Sequence, residues 1–237
     1  MDILFYLCLL IQPVTTMGIE ENYRHIRNIL PVSVHLVSVS KNRDVNDIMT
    51  LYRNGQRIFG ENKAQELITK QPLLPSDIQW HFIGHLQTNK VKYIAPFIHL
   101  IESADSIHLL SEINRQALKN QRIIDCLLQM YIASEETKFG LTPEEAAVIL
   151  SSPEYKSMTN IRIRGVMGMA SLTEDHDRIR KEFRMLKDTF THLHSTFFAG
   201  IESFSDISMG MSGDWTIAVE EGATMVRIGS AIFGERT

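Results

Sequence analysis

The most constraining feature of the sequence is an alternation. Short apolar runs occur at Val32 to Val39, Arg57 to Phe59, Gln79 to Ile83, Ile98 to Glu102, Cys126 to Ile132, Ile161 to Met169, Asp206 to Met209 and Met225 to Ile228. Segments of helical character lie between them, at Val45 to Asn54, Asn62 to Lys70, Leu86 to Ile94, Ser106 to Asn120, Pro143 to Leu150, Asp175 to His194 and Asp214 to Glu221. A run such as Val32 to Val39 is apolar nearly throughout rather than on every second residue, the pattern of a parallel strand covered on both faces. The β-α order predicts an α/β protein. Eight strands in 237 residues point to closure into a single (β/α)8 barrel of the TIM type, a fold that commonly takes about 250 residues. An open doubly wound sheet would show the same alternation. In either fold, ligand sites form at the carboxyl ends of the strands, so the residues just after each run carry the information about function.

Charge and cysteine usage narrow the function classes. With 24 basic against 28 acidic residues and an isoelectric point near 6.1, the chain lacks the basic footprint needed to grip nucleic acid or an anionic membrane. Cys8 and Cys126 are the only cysteines, too few for a disulfide framework and not spaced as a zinc site. A reducing, cytoplasmic setting fits. Ile3 to Val14 is almost wholly apolar, about the length of a signal-peptide core but too short to span a membrane. Its flank is only Met1-Asp2, without positive charge, and no small-residue cleavage pattern follows through Thr16. Met17 opens a stretch with Glu20 and Glu21 that reads as the acidic first turn of a helix running to about Ile29. The expectation is a natural start at Met17, an apolar extension over residues 1–16 outside the fold, and one binding domain over residues 17–237.

The first run ends in Ser38-Val39-Ser40-Lys41, which places Lys41 where a strand emerges from the barrel. A partly desolvated lysine there supplies the neutral amine that attacks an aldehyde, although a lysine in a loop can equally be only solvated. After the seventh run, Ser212-Gly213-Asp214 leads into a short helix, and after the eighth comes Gly229-Ser230. Unpaired amides and the positive end of a helix favour a phosphate, and glycine lets the ligand approach the backbone. Paired Gly-Ser turns after the last two strands are the frequent phosphate site of this barrel. A strand-end lysine and a phosphate site in one mouth point to a phosphorylated aldehyde. Either a sugar phosphate or pyridoxal 5'-phosphate would serve. Arg227 favours the second, because that cofactor's ring nitrogen needs a protein partner. An arginine cannot give up its proton, so it leaves the ring largely unprotonated and a weak electron sink.

These residues, with others, carry a family resemblance. Val37 to Lys41, Phe59 to Glu66, Trp80 to Lys90, Lys138 to Leu141, Arg164 to Ala170, Ser208 to Asp214 and Val226 to Arg236 occur in order, and with them the chain resembles the pyridoxal phosphate homeostasis proteins, whose fold is similar to the barrel domain of alanine racemase. The resemblance spans nearly everything from Met17. It implies a Schiff base on Lys41, a phosphate held by Ser212, Gly213, Gly229 and Ser230, and Arg227 facing the pyridine nitrogen, with Asn62 and His81 near the cofactor. It further implies a protein that binds, buffers or delivers pyridoxal phosphate without turnover of its own. Its partners would be PLP-dependent apoenzymes or enzymes of the B6 pathway, and it would be a monomer or weak dimer. Family members resemble a racemase without the second domain that carries the tyrosine base, and the chain ends at Thr237, just after the barrel. A small racemase remains the alternative. The apolar extension is foreign to the family, and Tyr131 replaces a smaller polar residue on one side of the expected pocket.

Other residues carry less. His81 and His85 are four apart, but Gly84 and a strand-to-loop change between them deny the shared helical face of a zinc pair, so no metal is expected. Lys90 and Lys138 are read as solvated lysines, with a transient second docking point for the cofactor as the alternative. Cys126 is read as a small core residue. Met167, Met169, Met209 and Met211 are read as packing.

Overall fold

The computed structural model describes residues 18–133 and 140–234. Eight parallel strands close into a barrel in sequence order: β1 His35–Val39, β2 Ile58–Glu61, β3 Gln79–Phe82, β4 Leu100–Ala104, β5 Ile124–Gln129, β6 Ile161–Met167, β7 Asp206–Ser208 and β8 Met225–Ile228. Closure is made by β8 against β1, with Val37 opposite Arg227. The open-sheet alternative is therefore excluded. The helices are α1 Ile19–Ile29, α2 Val45–Arg53, α3 Ala64–Lys70, α4 Thr88–Ile94, α5 Ile107–Lys119, α6 Pro143–Ser151, α7 Pro153–Lys156, α8 His176–Phe197, α9 Trp215–Glu220 and α10 Ser230–Phe233.

The strands were legible because both of their faces are buried, in two different environments. Side chains alternate along a strand. Phe59, Trp80, Phe82, Ile101, Val166 and Ile207 face outward into the layer between barrel and helices. Val37, Leu100, Leu127, Met167 and Met225 form a smaller interior cluster, with Met169 packed against it. Each such buried side chain contributes about 1.5–3 kcal/mol through removal from water. Met209 lies in the outer layer and Cys126 is fully buried there, as packing residues should be.

The boundaries differ in ways that backbone bonding explains. The first strand starts at His35, not Val32, because Val34 N–H donates to Pro31 O in a turn that leaves Val32 91% exposed. The fifth starts at Ile124 and ends at Gln129, after which Met130 makes only an isolated bridge to Leu141. The first helix begins at Ile19, with Glu20 and Glu21 in its first turn. Two short helices, α7 and α10, carry too few residues for periodicity to reveal. Among the described residues no helix is long and apolar enough to cross a membrane.

Candidate functional site

Lys41 stands in the turn after β1, and two charges of α3, Lys70 buried and Glu66 partly so, hold the residues on either side of it. The Nζ of Lys70, at the end of α3, donates to Ser40 O at 2.7 Å, Glu61 Oε1 at 2.8 Å and Glu66 Oε1 at 2.6 Å. Glu66 Oε1 also accepts from the Asn42 backbone N–H at 2.6 Å, and Ser40 Oγ donates to Glu61 Oε1 at 2.7 Å. Asn42 takes a positive φ of 59°, a conformation that asparagine tolerates. The residues flanking Lys41 are thus both fixed by α3, Ser40 through its carbonyl and Asn42 through its amide. Burial pushes the Glu61 carboxyl up, against the hydrogen bond and charge of Lys70 and the Ser40 hydroxyl. Its Oε2 and the neighbouring Asn62 Oδ1 are buried without a hydrogen-bond partner.

The two Gly-Ser turns meet. After β7, Gly210 turns the chain with φ 91°, where a Cβ would lie 2.5 Å from Ala218 Cβ. Only glycine fits this return onto α9. The turn carries Ser212 to the start of α10, where its Oγ accepts from Gly229 N–H and Ala231 N–H, both at 3.2 Å. An oxygen thus already sits on converging backbone amides at a helix start, as a phosphate oxygen would. Gly213 faces open space, since a Cβ there would meet nothing within 4 Å. Ser230 is exposed. Gly229 backs directly on Val39, whose O would lie 3.3 Å from a Cβ at that position, so the phosphate-type turn adjoins the strand that leads to Lys41. Arg43 Nη2 ties the two together by donating to Gly234 O at 2.5 Å.

Arg227 lies inside the barrel, 3% exposed. Its Nη2 donates to Gly168 O at 2.9 Å and its Nη1 to Ser208 Oγ at 2.6 Å. Ser208 Oγ in turn donates to Glu102 Oε2 at 2.6 Å, and Glu102 Oε1 is 2.7 Å from His81 Nδ1. Burial lowers the Arg227 pKa while Glu102 and Asp214 support its charge. His81 is therefore linked to the mouth through Glu102, Ser208 and Arg227. Its ring stacks on His99 at 5.7 Å and lines a cavity of about 150 Å³ at the amino ends of the strands.

The structure brings Lys41, Ser212, Gly213, Gly229 and Ser230 to the carboxyl ends of the strands, with Arg227 below them. Asn62 follows β2 at the same end. His85 stands apart from His81, with Nδ1 3.4 Å from Asp105 Oδ2. Lys90 is half-buried in α4 with Nζ 5.9 Å from the Tyr93 ring centroid, and Lys138 lies outside the described residues. Tyr131 N–H donates to Leu141 O at 2.9 Å, and Tyr131 borders a cavity of about 640 Å³ with Asp175 and Arg178. Sequence reasoning missed Glu61, Glu66, Lys70 and Glu102. The Glu66-to-Lys70 spacing of four was the available signal for the clamp. Glu102 closes the fourth apolar run, where a carboxylate is out of place without a buried partner.

The sequence model of the family described as alanine racemase, N-terminal domain matches residues 14–237. A pyridoxal phosphate homeostasis protein of Aquifex aeolicus (strain VF5) is 38% identical over 203 residues, 85% of this chain and 86% of the relative. PipY of Synechococcus elongatus PCC7942, solved with PLP bound, superposes with a TM-score of 0.83 at 34% identity, over 92% of this chain and 100% of that one. An alanine racemase of Clostridium difficile 630 shares the fold, with a TM-score of 0.74 at 14% identity over 92% of this chain and 57% of its own. With a closed eight-stranded barrel, a clamped strand-end lysine and paired Gly-Ser turns, this chain belongs to the pyridoxal phosphate homeostasis protein family, within the alanine racemase N-terminal domain fold.

Proposed function

We propose that this protein binds pyridoxal phosphate at the carboxyl mouth of the barrel and takes part in its intracellular homeostasis by holding, buffering and delivering it. The observation that carries the reading is the Ser212 oxygen held by the Gly229 and Ala231 amides, in the same mouth as the clamped Lys41 turn. The residues fit the cofactor at each end: amides for its phosphate, an amine for its aldehyde, and a buried guanidinium for its ring nitrogen. PipY, solved with PLP bound, supports the same assignment. When bound, the cofactor supplies an aldehyde that condenses with an amine and a conjugated ring that accepts electrons. Lys41 provides the amine. Ser212, Gly213, Gly229 and Ser230 hold the phosphate, and Asn62 offers its buried, unpartnered Oδ1 near the ring.

Arg227 would hold the ring nitrogen by donating to it without protonating it, and the ring would then be a poor electron sink. The protein therefore carries the cofactor with no turnover of its own. Its exchange partners are PLP-dependent apoenzymes and enzymes of the B6 pathway, met in the cytoplasm by a monomer or weak dimer whose binding unit spans residues 17–237.

The test is a visible spectrum of the purified protein beside Lys41→Ala, before and after borohydride. A band that borohydride fixes on Lys41, and that the variant lacks, is expected. No band after addition of pyridoxal phosphate would overturn the reading. Turnover of an amino acid by the wild type, lost in Lys41→Ala, would overturn its non-catalytic part.

A further inference from the structure

Barrel interiors of this kind are ordinarily filled by layers of apolar side chains. Here a polar chain crosses the interior beside the Val37, Leu100, Leu127, Met167 and Met225 cluster. It runs from Arg227 to Ser208, Glu102 and His81, contributed by β8, β7, β4 and β3, and each member is at most 3% exposed. The bonds are short and continuous: Arg227 Nη1 to Ser208 Oγ at 2.6 Å, Ser208 Oγ to Glu102 Oε2 at 2.6 Å, and Glu102 Oε1 to His81 Nδ1 at 2.7 Å. Buried ionic groups cost several kcal/mol in desolvation, and apolar residues of similar volume often stabilise as well or better. Core filling alone does not account for four polar residues in a row.

The two ends of this chain reach different surroundings. At one end, Nη1 and Nη2 of Arg227 are committed to Ser208 Oγ and Gly168 O, which fixes the plane of the guanidinium. At the other end, His81 lines the cavity at the amino ends of the strands. Facing it there are His35 on β1, His99 before β4, Asp125 on β5, Arg164 on β6 and Asp206 on β7. Arg164 lies 3.2 Å from both Asp125 and Asp206. Burial holds His99 below an ordinary histidine, aided by the charge of His81, Arg164 and Arg122 and opposed by Asp125. Burial alone would raise Glu102, but His81, Arg227 and Ser208 together hold it below the usual carboxylate range.

We propose that His81 and Glu102 are positioning residues of the ligand site, which with Ser208 form a buried relay that sets the direction and donor strength of Arg227 toward the ligand ring. The relay makes the ring's environment at one mouth of the barrel sensitive to the imidazoles and charges at the other. The inference rests on the reading that Arg227 faces the ring nitrogen of bound pyridoxal phosphate.

The experiment uses the full chain loaded with pyridoxal phosphate and follows the visible band and its pH midpoint, together with cofactor affinity. Ser208→Ala breaks the relay at its centre with little change of volume, and His81→Ala breaks it at its end. Each is expected to move the pH midpoint by about one unit, the size of one altered charge-assisted hydrogen bond. The double variant is expected to move it by less than the sum of the two, since both act on Arg227 through Glu102, which also lies 3.7 Å from Arg227 Nη1 directly. Added imidazole, entering by the adjoining cavity, is expected to restore the midpoint in His81→Ala and not in Ser208→Ala. Ser212→Ala serves as the contrast, weakening affinity while leaving the midpoint in place. Unchanged midpoints in Ser208→Ala and His81→Ala, or shifts that add in the double variant, would overturn the proposal. If His81→Ala does not fold, His81→Gln replaces it, with the same criterion. A wild type without any band would instead remove the reading on which the proposal depends, so the two failures are distinct.

Discussion

The two ends of the barrel use charged side chains differently. At the amino end, charges meet charges, and the arginines that also hold carbonyls there, Arg57 on Tyr52 and Gln56 and Arg122 on Ala95 and Ile98, are partly exposed. Asp125 takes a bidentate pair from Arg162 at 2.8 and 2.9 Å and a further contact from Arg164 at 3.2 Å, and Arg164 also reaches Asp206. At the carboxyl end, charges also hold backbone: Lys70 on Ser40 O, Glu66 on the Asn42 amide, Arg43 on Gly234 O and Arg227 on Gly168 O. Ion pairs between side chains leave the loops around them unconstrained, whereas a charge bonded to a backbone group fixes a loop in place. Preorganised loops are what a ligand site requires. The difference is one of burial: Lys70 and Arg227, 7% and 3% exposed, hold backbone from the interior at the carboxyl end, whereas Arg57 and Arg122 do so from partly exposed positions at the amino end.

Substitutions at four positions would sharpen or break this comparison. The largest effect on stability is expected from Glu102→Leu, which strands Arg227 as a buried, unpaired charge and should cost about 3–5 kcal/mol in urea unfolding. The same carboxylate gives a pH dependence. Its folded-state pKa is depressed, so its contribution is fully present above the ordinary glutamate value of 4.5 and is lost as pH falls through the lower folded value. Acid unfolding of the wild type followed by circular dichroism should show this loss, and Glu102→Gln should lack it. A denaturation midpoint in Glu102→Leu equal to that of the wild type would show that the relay is energetically idle.

Lys70→Met comes next, because it leaves Glu61 buried and frees the Ser40 carbonyl. We expect a loss of about 2–3 kcal/mol, accompanied by slower formation of the visible band, since the Lys41 turn is no longer clamped. A stability loss with unchanged band formation would break the claim that charge on backbone serves positioning. Asp125→Asn, at the other end, should cost about 1 kcal/mol, because Arg162 is half exposed and its pairing is screened. It should leave cofactor affinity as it is, and equilibrium binding checks this. Ser212→Ala should have the smallest effect on stability, lowering cofactor affinity roughly fivefold, the worth of one hydrogen bond. Its thermal midpoint should stay near the wild-type value.

Much of the fold could be read in advance, and the reason is physical. Parallel strands buried on both faces produce unbroken apolar runs, and the turns after them expose lysine, glycine and serine where a barrel opens. Lys41, Gly229 and Ser230 were identifiable on those grounds. The boundaries at Val32 and Ile132 were not, because an apolar residue beside a strand looks the same whether it pairs or, like Val32, is left in solvent by a turn. His81 illustrates a deeper limit. It alternates with Trp80 and Phe82, which marks it as facing the other side of the strand, but the sequence does not say whether that side is a ligand mouth or a closed interior.

The sequence by itself determined the α/β alternation, the eight strands and the residue types that a phosphorylated aldehyde would need, because each of these is a local pattern set by burial period and turn chemistry. Only the tertiary structure decided that β8 closes on β1, that Lys70 reaches back 30 residues to grip Ser40, and that Glu102 and Ser208, 106 residues apart, join His81 to Arg227. These are contacts between distant parts of the chain. They form because a closed barrel brings alternate residues of every strand onto one axis, where a buried polar group must find its partner in whichever strand lies opposite.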